Sequence, residues 1–373
     1  MKLVTLEDKY VATTGRVYLN GIQALVRLML VQQQRDAAQG LKTGGFVSGY
    51  RGSPLGGLDD ALWKATPYLD AQGVKFVPGV NEELAATAVW GTQQVHLTGQ
   101  TGYDGIFGLW YGKGPGVDRC GDVFKHMNYH GTSKHGGVLL VAGDDHGAYS
   151  STLPHQSDHL FSASMIPVLY PSNVEEYLTL GLHGFAMSRF SGCAVGFKAL
   201  ADTVESSASI DANVHRQKII VPEDFSVPEG GLNCRLSSET LGIQARNQEA
   251  LMQDYKIYAA LAYSRANQLN HVTIDSPNAK IGIVASGKSY MDVLEALDEL
   301  GISESEVANV GIRLFKVTMP WPLEPDGIRE FSRGLEEILV VEEKRQMVEY
   351  QLKEQLYNWD PSVRPKIIGK FDD

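Results

Sequence analysis

Cysteine is scarce in this chain. Three occur in 373 residues (Cys120, Cys193 and Cys234), far apart and in no C-x-x-C pair. An odd, scattered set excludes a disulfide framework, a zinc ribbon and iron–sulfur ligation by this chain. No apolar run approaches the ~20 residues of a membrane span, and the N-terminus lacks the charged and apolar regions of a signal peptide. No membrane association is expected, and a cytoplasmic location follows. Basic runs are missing too. Lys and Arg number 33 against 44 Asp and Glu, a net charge of −11, which argues against nucleic acid as a partner. Neither internal repeats nor low-complexity tracts occur. With 43% hydrophobic and 21% charged residues, the remaining class is a globular protein long enough for two or three domains.

Glycine, by contrast, is plentiful, at 39 residues. Many crowd before residue 150, in clusters at the ends of expected strands. Short Val/Leu/Ile runs alternate with helical spacing: a helix over 20–39, then strands near 45–49, 75–77, 106–110, 137–142, 167–170 and 194–198 with helices between them. This rhythm predicts a parallel sheet with helices on both faces. Residues 226–250, with Pro228 and Gly230-Gly231, read as a linker. A helix over 251–267 and a second, smaller α/β unit follow, with strands near 280–285, 313–317 and 337–341.

Five constellations carry candidate chemistry. Gly49-Tyr-Arg-Gly-Ser-Pro54 ends a strand, where α/β ligands bind. It lacks the G-x-G-x-x-G form, so a plain turn competes with a loop in which Arg51 and Ser53 hold a carboxylate or carbonyl. Glu82 and Glu83 open a helix of small residues (Ala85, Ala86, Thr87, Ala88) behind Asn81. Acids at a capped helix start need no function, yet an acid beside a closely approachable surface also suits proton sharing. Trp110 to Arg119 reads as a flexible glycine-rich connection carrying Lys113 and Arg119, suited to a substrate or phosphate. Residues 143–159 form a long polar segment, and six of the ten histidines fall between 126 and 159. His155-x-x-x-His159 has helical ligand spacing, but no recognised metal-ligand set appears, so substrate or cofactor contacts are preferred and no metal ligand is assigned. Finally, Gly282 to Ser289 spells G-x-x-x-x-G-K-[ST]. Ile283, Val284 and Ala285 read as strand rather than phosphate loop, which leaves a P-loop nucleotide-binding module as an alternative only.

Taken together, several segments resemble indolepyruvate ferredoxin oxidoreductase of the long, fused bacterial type: Gly-Tyr-Arg-Gly-Ser-Pro at 49–54, Val-Asn-Glu-Glu-Leu-Ala-Ala at 80–86, Trp-Tyr-Gly-Lys-Gly-Pro-Gly-Val-Asp-Arg at 110–119, Gly-Asp-Asp-His at 143–146, Ser-Ser-Thr-Leu-Pro-His-Gln-Ser-Asp-His at 150–159 and Val-Glu-Glu-Lys-Arg-Gln at 341–346. The resemblance runs over essentially the whole chain. It implies a thiamine-diphosphate-dependent enzyme that oxidatively decarboxylates indole-3-pyruvate or another arylpyruvate, with coenzyme A as acyl acceptor and ferredoxin as electron acceptor.

The implied organisation is a pyrimidine-binding domain over 1–225, a linker over 226–250 and a transketolase carboxyl-terminal-like domain over 251–373. Carried over, Glu82 is the catalytic acid that shares a proton with the cofactor's aminopyrimidine ring, Ser53 contacts the cofactor, and Arg51 and His146 contact substrate. The family's Gly-Asp-Gly, which holds magnesium and the diphosphate, does not occur here, nor do its cysteine clusters. The resemblance therefore implies an amino-terminal portion, inactive alone. The diphosphate-binding and electron-transfer domains, with the iron–sulfur clusters, lie elsewhere, and a homodimer or larger assembly completes the site. A non-catalytic assembly fragment is the remaining alternative.

Overall fold

A computed structural model describes residues 4–99, 101–213 and 215–371. The strands are β1 (Arg16–Asn20), β2 (Thr43–Gly49), β3 (Val74–Phe76), β4 (Gly105–Lys113), β5 (Val138–Asp144), β6 (Val168–Leu169), β7 (Val195–Leu200) and β8 (Ser207–Asp211), then β9 (Asn270–Ile274), β10 (Ile281–Ser286), β11 (Ile312–Val317), β12 (Glu337–Val341) and β13 (Lys366–Ile368). Six of them form a wholly parallel sheet in the order β3-β2-β4-β5-β7-β6. The expected α/β class is what the chain adopts.

Successive β5 residues serve opposite faces, as strand geometry demands. Leu139 and Val141 join Leu28, Met29, Phe185 and Phe197 on one side. Leu140 and Ala142 join Trp110, Phe124 and Phe161 on the other. Helices Gly21–Ala38, Leu58–Ala71 and Val174–Ser191 build the first layer, and Glu82–Thr92 and Gly121–His130 build the second. Near-continuous apolar strands are what burial on both faces requires.

The second sheet has five strands in the order β13-β12-β10-β11-β9, with only β9 antiparallel. It meets the first at β6, where Val168 N–H donates to the Trp321 carbonyl at 2.7 Å and Tyr170 N–H to that of Thr318 at 2.8 Å. Buried Lys316 reaches back to Ser172 Oγ at 3.0 Å and to Glu176.

Three elements depart from expectation. The helix expected from Leu251 begins at Leu241, and a π turn over Met252–Lys256 leads into Ile257–Ala266. No residue of Leu241–Leu251 is buried, so no apolar stripe announces that segment. The wide turn sets Lys256 inside, donating to the carbonyls of Asn128 at 3.1 Å and Tyr129 at 3.2 Å at the end of the helix Gly121–His130. The third departure is at 110–119. Tyr111–Lys113 continue β4 in register with Val141–Gly143, and Gly114–Arg119 coils into a short helix with Pro115 in its first turn. The expected flexible connection is thus an ordered strand-to-helix junction.

Candidate functional site

The sheet order reverses at β2. From there the chain steps outward to β3, then returns to β4 on the other side. In open α/β sheets the crevice at the carboxyl ends of such strands is the ligand position. Here it receives three segments: the loop after β2 with Arg51 and Ser53, the start of the helix after β3 with Glu82, and the β4–helix junction at 112–116.

Glu82 is the first residue of its helix. Asn81 caps it, accepting from Leu84 N–H at 2.8 Å, and Trp110 Nε1 donates to the Glu82 carbonyl at 2.9 Å. Backbone position is therefore fixed from two sides. The side chain is buried to 9% exposure, yet among the described residues nothing hydrogen-bonds or ion-pairs its carboxylate. Its neighbour Glu83 is half-buried and lies 3.7 Å from Arg119. The Glu82 side chain rests on glycine. A Cβ on Gly116 would stand 2.7 Å from its Cγ and 3.0 Å from Oε1, and one on Gly112 would stand 3.6 Å from its Cγ. Any side chain at 116 would displace the carboxylate. Beside it, burial first and then the charge of Glu82 push the Cys120 thiol up to about 12, so that thiol stays protonated.

Ser53 hydrogen-bonds Ser150 through its hydroxyl, and Ser151 Oγ donates to its carbonyl at 3.1 Å. The polar segment 143–159 is thus laid against the loop after β2. Asp145 shapes that segment by accepting from the backbone N–H groups of Tyr149, Ser150 and Ser151 at 2.8 to 3.0 Å. Despite desolvation of the carboxyl, these donors hold it below the usual range. Arg51 is exposed at the mouth of the crevice. His146 faces the other way, into the seam with the second sheet, where its Nδ1 lies 2.6 Å from Glu343 and Lys344 donates to its carbonyl at 2.9 Å. Among the described residues its buried Nε2 has no partner.

The comparisons with known proteins follow this geometry. Residues 270–373 match the family profile described as "Indolepyruvate ferredoxin oxidoreductase middle domain". Indolepyruvate oxidoreductase subunit IorA of Pyrococcus abyssi is 26% identical over 360 residues, covering 95% of this chain and 49% of the relative. The same subunit of Methanothermobacter marburgensis is 23% identical, covering 87% and 48%.

Residues 270–373 carry the middle domain of that family, and the chain as a whole is similar to indolepyruvate oxidoreductase subunits.

It spans about half the length of the curated relatives it matches. The family fold agrees with solved structures. A 2-oxoglutarate:ferredoxin oxidoreductase from Magnetococcus marinus, with 2-oxoglutarate, coenzyme A and succinyl-CoA bound, superposes with a TM-score of 0.67 at 15% identity, covering 95% of this chain and 62% of its own. Transketolase from Campylobacter jejuni gives 0.51 at 12%, covering 92% and 42%.

Two motif readings do not survive the family fold. In the P-loop-like segment, Ile283–Ser286 pair along β11, Ile283–Ala285 also pair along β12, and the helix begins at Gly287. No loop remains to wrap a phosphate, and Lys288 Nζ is engaged by Asp292 on its own helix at 2.7 and 2.8 Å. The histidines of 126–159 likewise do not converge. His155 precedes the helix Asp158–Ala163 that holds His159, so the spacing is not helical. Instead His155 bridges Asp118 at 2.8 Å and Asp144 at 3.6 Å.

Sequence reasoning missed two groups. Gly112 and Gly116 were visible as glycines but read as flexibility rather than as room for the Trp110 ring and for Glu82. Lys198, buried against Asp158 at 2.7 Å, carried the signal of a lone cation within an apolar strand.

Proposed function

We propose that this chain is part of an indolepyruvate (arylpyruvate) ferredoxin oxidoreductase and supplies the acid that acts on the pyrimidine half of thiamine diphosphate. The observation that carries the reading is Glu82: an acid whose carboxylate has no partner among the described residues, seated against Gly116 at the switch point of a parallel sheet. An acid at a sheet switch point that no protein group engages is available to a ligand. The residues present fit the ring end of the cofactor. Glu82 offers a free carboxyl, and the absence of a Cβ at Gly116 lets that carboxyl keep its position. They do not include the Gly-Asp-Gly of the diphosphate end, so magnesium and the diphosphate are assigned to another part of the assembly, as are the iron–sulfur clusters.

Bound thiamine diphosphate supplies a carbon nucleophile and an electron sink for decarboxylating a 2-oxoacid. The protein's own contribution is proton placement. The Glu82 carboxyl would share a proton with a ring nitrogen, Asn81 and Trp110 hold its backbone, and protonated Cys120 adds no charge of its own beside it. Ser53 is assigned to cofactor contact on the wall opposite. Arg51 is assigned to the substrate carboxylate, whereas His146, turned into the seam beside Glu343, is assigned no contact in the Glu82 crevice. Residues 1–225 form the pyrimidine-binding domain and 251–373 the transketolase carboxyl-terminal-like domain, joined by 226–250. Coenzyme A and ferredoxin are the proposed acceptors, a homodimer or larger assembly the working state, and the cytoplasm its location. Among the described residues no helix is long and apolar enough to cross a membrane.

The test is Glu82→Gln in the complete enzyme, with indole-3-pyruvate, coenzyme A and a viologen acceptor. Turnover should fall by about 10²-fold or more, the range of a lost general acid–base, with the fold intact by circular dichroism. Activity near that of the unaltered enzyme would remove Glu82 from the mechanism. This chain alone should reduce no viologen.

A further inference from the structure

At the opposite edge of the six-stranded sheet lies a groove of about 1080 Å³ that the proposed chemistry does not use. Asp36 and Gln39 reach it from the helix end before β2, Lys134 and His135 from the turn before β5, and Arg189 and Phe190 from the helix end before β7. It is therefore separated from the Glu82 crevice by the length of the strands, roughly 20 Å at about 3.3 Å per residue. The outer wall is residues 215–235, which are tied down on both margins. Asn267 holds Ile220 through paired bonds of 2.8 Å, and Cys234 N–H donates to the Thr132 carbonyl at 3.0 Å.

Charge in this groove opposes the charge of the whole. The chain carries −11, yet the lining holds five cations, Arg35, Lys134, Arg189, Lys218 and Arg235, against one acid, Asp36. That acid is already consumed, bound by both Arg189 terminal nitrogens at 2.7 Å and by Gln32 at 2.8 Å. Arg35 and Arg189 stand in the last turns of their helices, where helix carbonyl ends favour cations without any ligand. Lys134, Lys218 and Arg235 come from loops, so helix ends do not account for them. Among the described residues their charged groups have no hydrogen-bond or ion-pair partner. The floor is different in character. Phe190 is fixed against Phe225 and Tyr263, and Ile219, Val221 and Leu232 flank it.

A cationic rim over an apolar, ring-bearing floor selects a ligand with both features. A lone carboxylate or phosphate needs one or two cations and a small fraction of this volume. We propose that the groove is a binding site for a nucleoside polyphosphate, with the base on the Phe190 floor and the phosphates at Lys134, Lys218 and Arg235. The site is independent of the Glu82 reading and distinct from the P-loop-like segment.

Calorimetry with ADP on this chain tests the proposal. One-to-one binding is expected, with adenosine and pyrophosphate each weaker by about tenfold or more, and with affinity falling as salt rises. Lys134→Glu with Arg235→Glu, both exposed positions, should weaken ADP by about tenfold or more. Lys218→Ala serves as a milder second variant with a smaller loss in the same direction. Glu82→Gln and Lys288→Ala should leave ADP binding unchanged. The proposal fails if ADP shows no saturable binding up to about 1 mM, if the charge reversals have no effect, if Lys288→Ala abolishes binding, or if pyrophosphate binds as tightly as ADP.

Discussion

Two halves of one sheet edge treat buried charge in opposite ways. Beyond β5 and β7 every buried charged group is answered. Lys198 meets Asp158 at 2.7 Å, Asp144 accepts from Ser157 N–H at 2.8 Å and its hydroxyl at 2.7 Å, and His155 lies between Asp118 and Asp144. Beyond β2 and β4, Glu82 is at 9% exposure and, among the described residues, its carboxylate has no partner. Protein interiors pair their charges because an unpaired one is expensive. The first half obeys that rule and reads as structure. The second breaks it, and local rule-breaking of this kind is expected where a site must stay ready for something else.

The comparison is broken most forcefully by exchanging the consequences. Lys198→Ala strands Asp158 and Asp144 in the interior and should destabilise the fold by about 3–5 kcal/mol, the cost of removing one partner of a buried pair. Glu82→Gln removes a charge but no partner, and should leave the fold at least as stable as before. Denaturant midpoints of the two variants measure the contrast. If Glu82→Gln were the more damaging to the fold, Glu82 would be structural and the distinction between the halves would collapse.

Gly116→Ala sharpens the same contrast from the cradle side. The new methyl would occupy space within 2.7 Å of Glu82 Cγ, so the carboxylate must move. Displacing a catalytic group by a fraction of an ångström to 1 Å costs about 10- to 10²-fold in rate. Steady-state turnover of the complete enzyme should fall accordingly while its melting temperature changes little.

A smaller effect distinguishes the paired half by pH. The Asp144 and Asp118 carboxylates on either side outweigh burial and raise His155 to about 9 from 6.5. Because the folded value is the higher, the stabilisation is fully present below pH 6.5 and is lost as pH rises through about 9. Urea midpoints should therefore decline between these values, and His155→Gln should flatten the decline. A variant with an unchanged slope would assign the pH dependence to another group.

How much of this was legible beforehand follows from what each residue signals locally. Runs such as Val138-Leu-Leu-Val-Ala announce buried parallel strands because both faces are covered. The helix Leu241–Leu251 was hidden because it buries nothing. Glycines 112 and 116 looked like a loop because a sequence records that a side chain is missing but not what fills the space. Glu82 and Glu83 are the same residue in adjacent positions. Only the fold turns one toward Gly116 and leaves the other beside Arg119, so their difference rested on family resemblance. The His146–Glu343 contact joins residues about two hundred positions apart, and no local pattern predicts it.

The smallest effect belongs to the motif with the strongest literal match. Lys288 completes the P-loop spelling, yet its ammonium is spent on Asp292 one helical turn away, with Asp292 half exposed. An exposed pair at this spacing contributes about 0.3–0.5 kcal/mol. Lys288→Ala should therefore cost no more than that in a denaturant titration and should change neither turnover nor nucleotide affinity. A large loss of ADP binding in this variant would restore the phosphate-loop reading and place the nucleotide in the second sheet. The geometry argues against it, because a lysine serves a phosphate only when a turn of backbone amides stands beside it. Here the residues that would form that turn are hydrogen-bonded into β10.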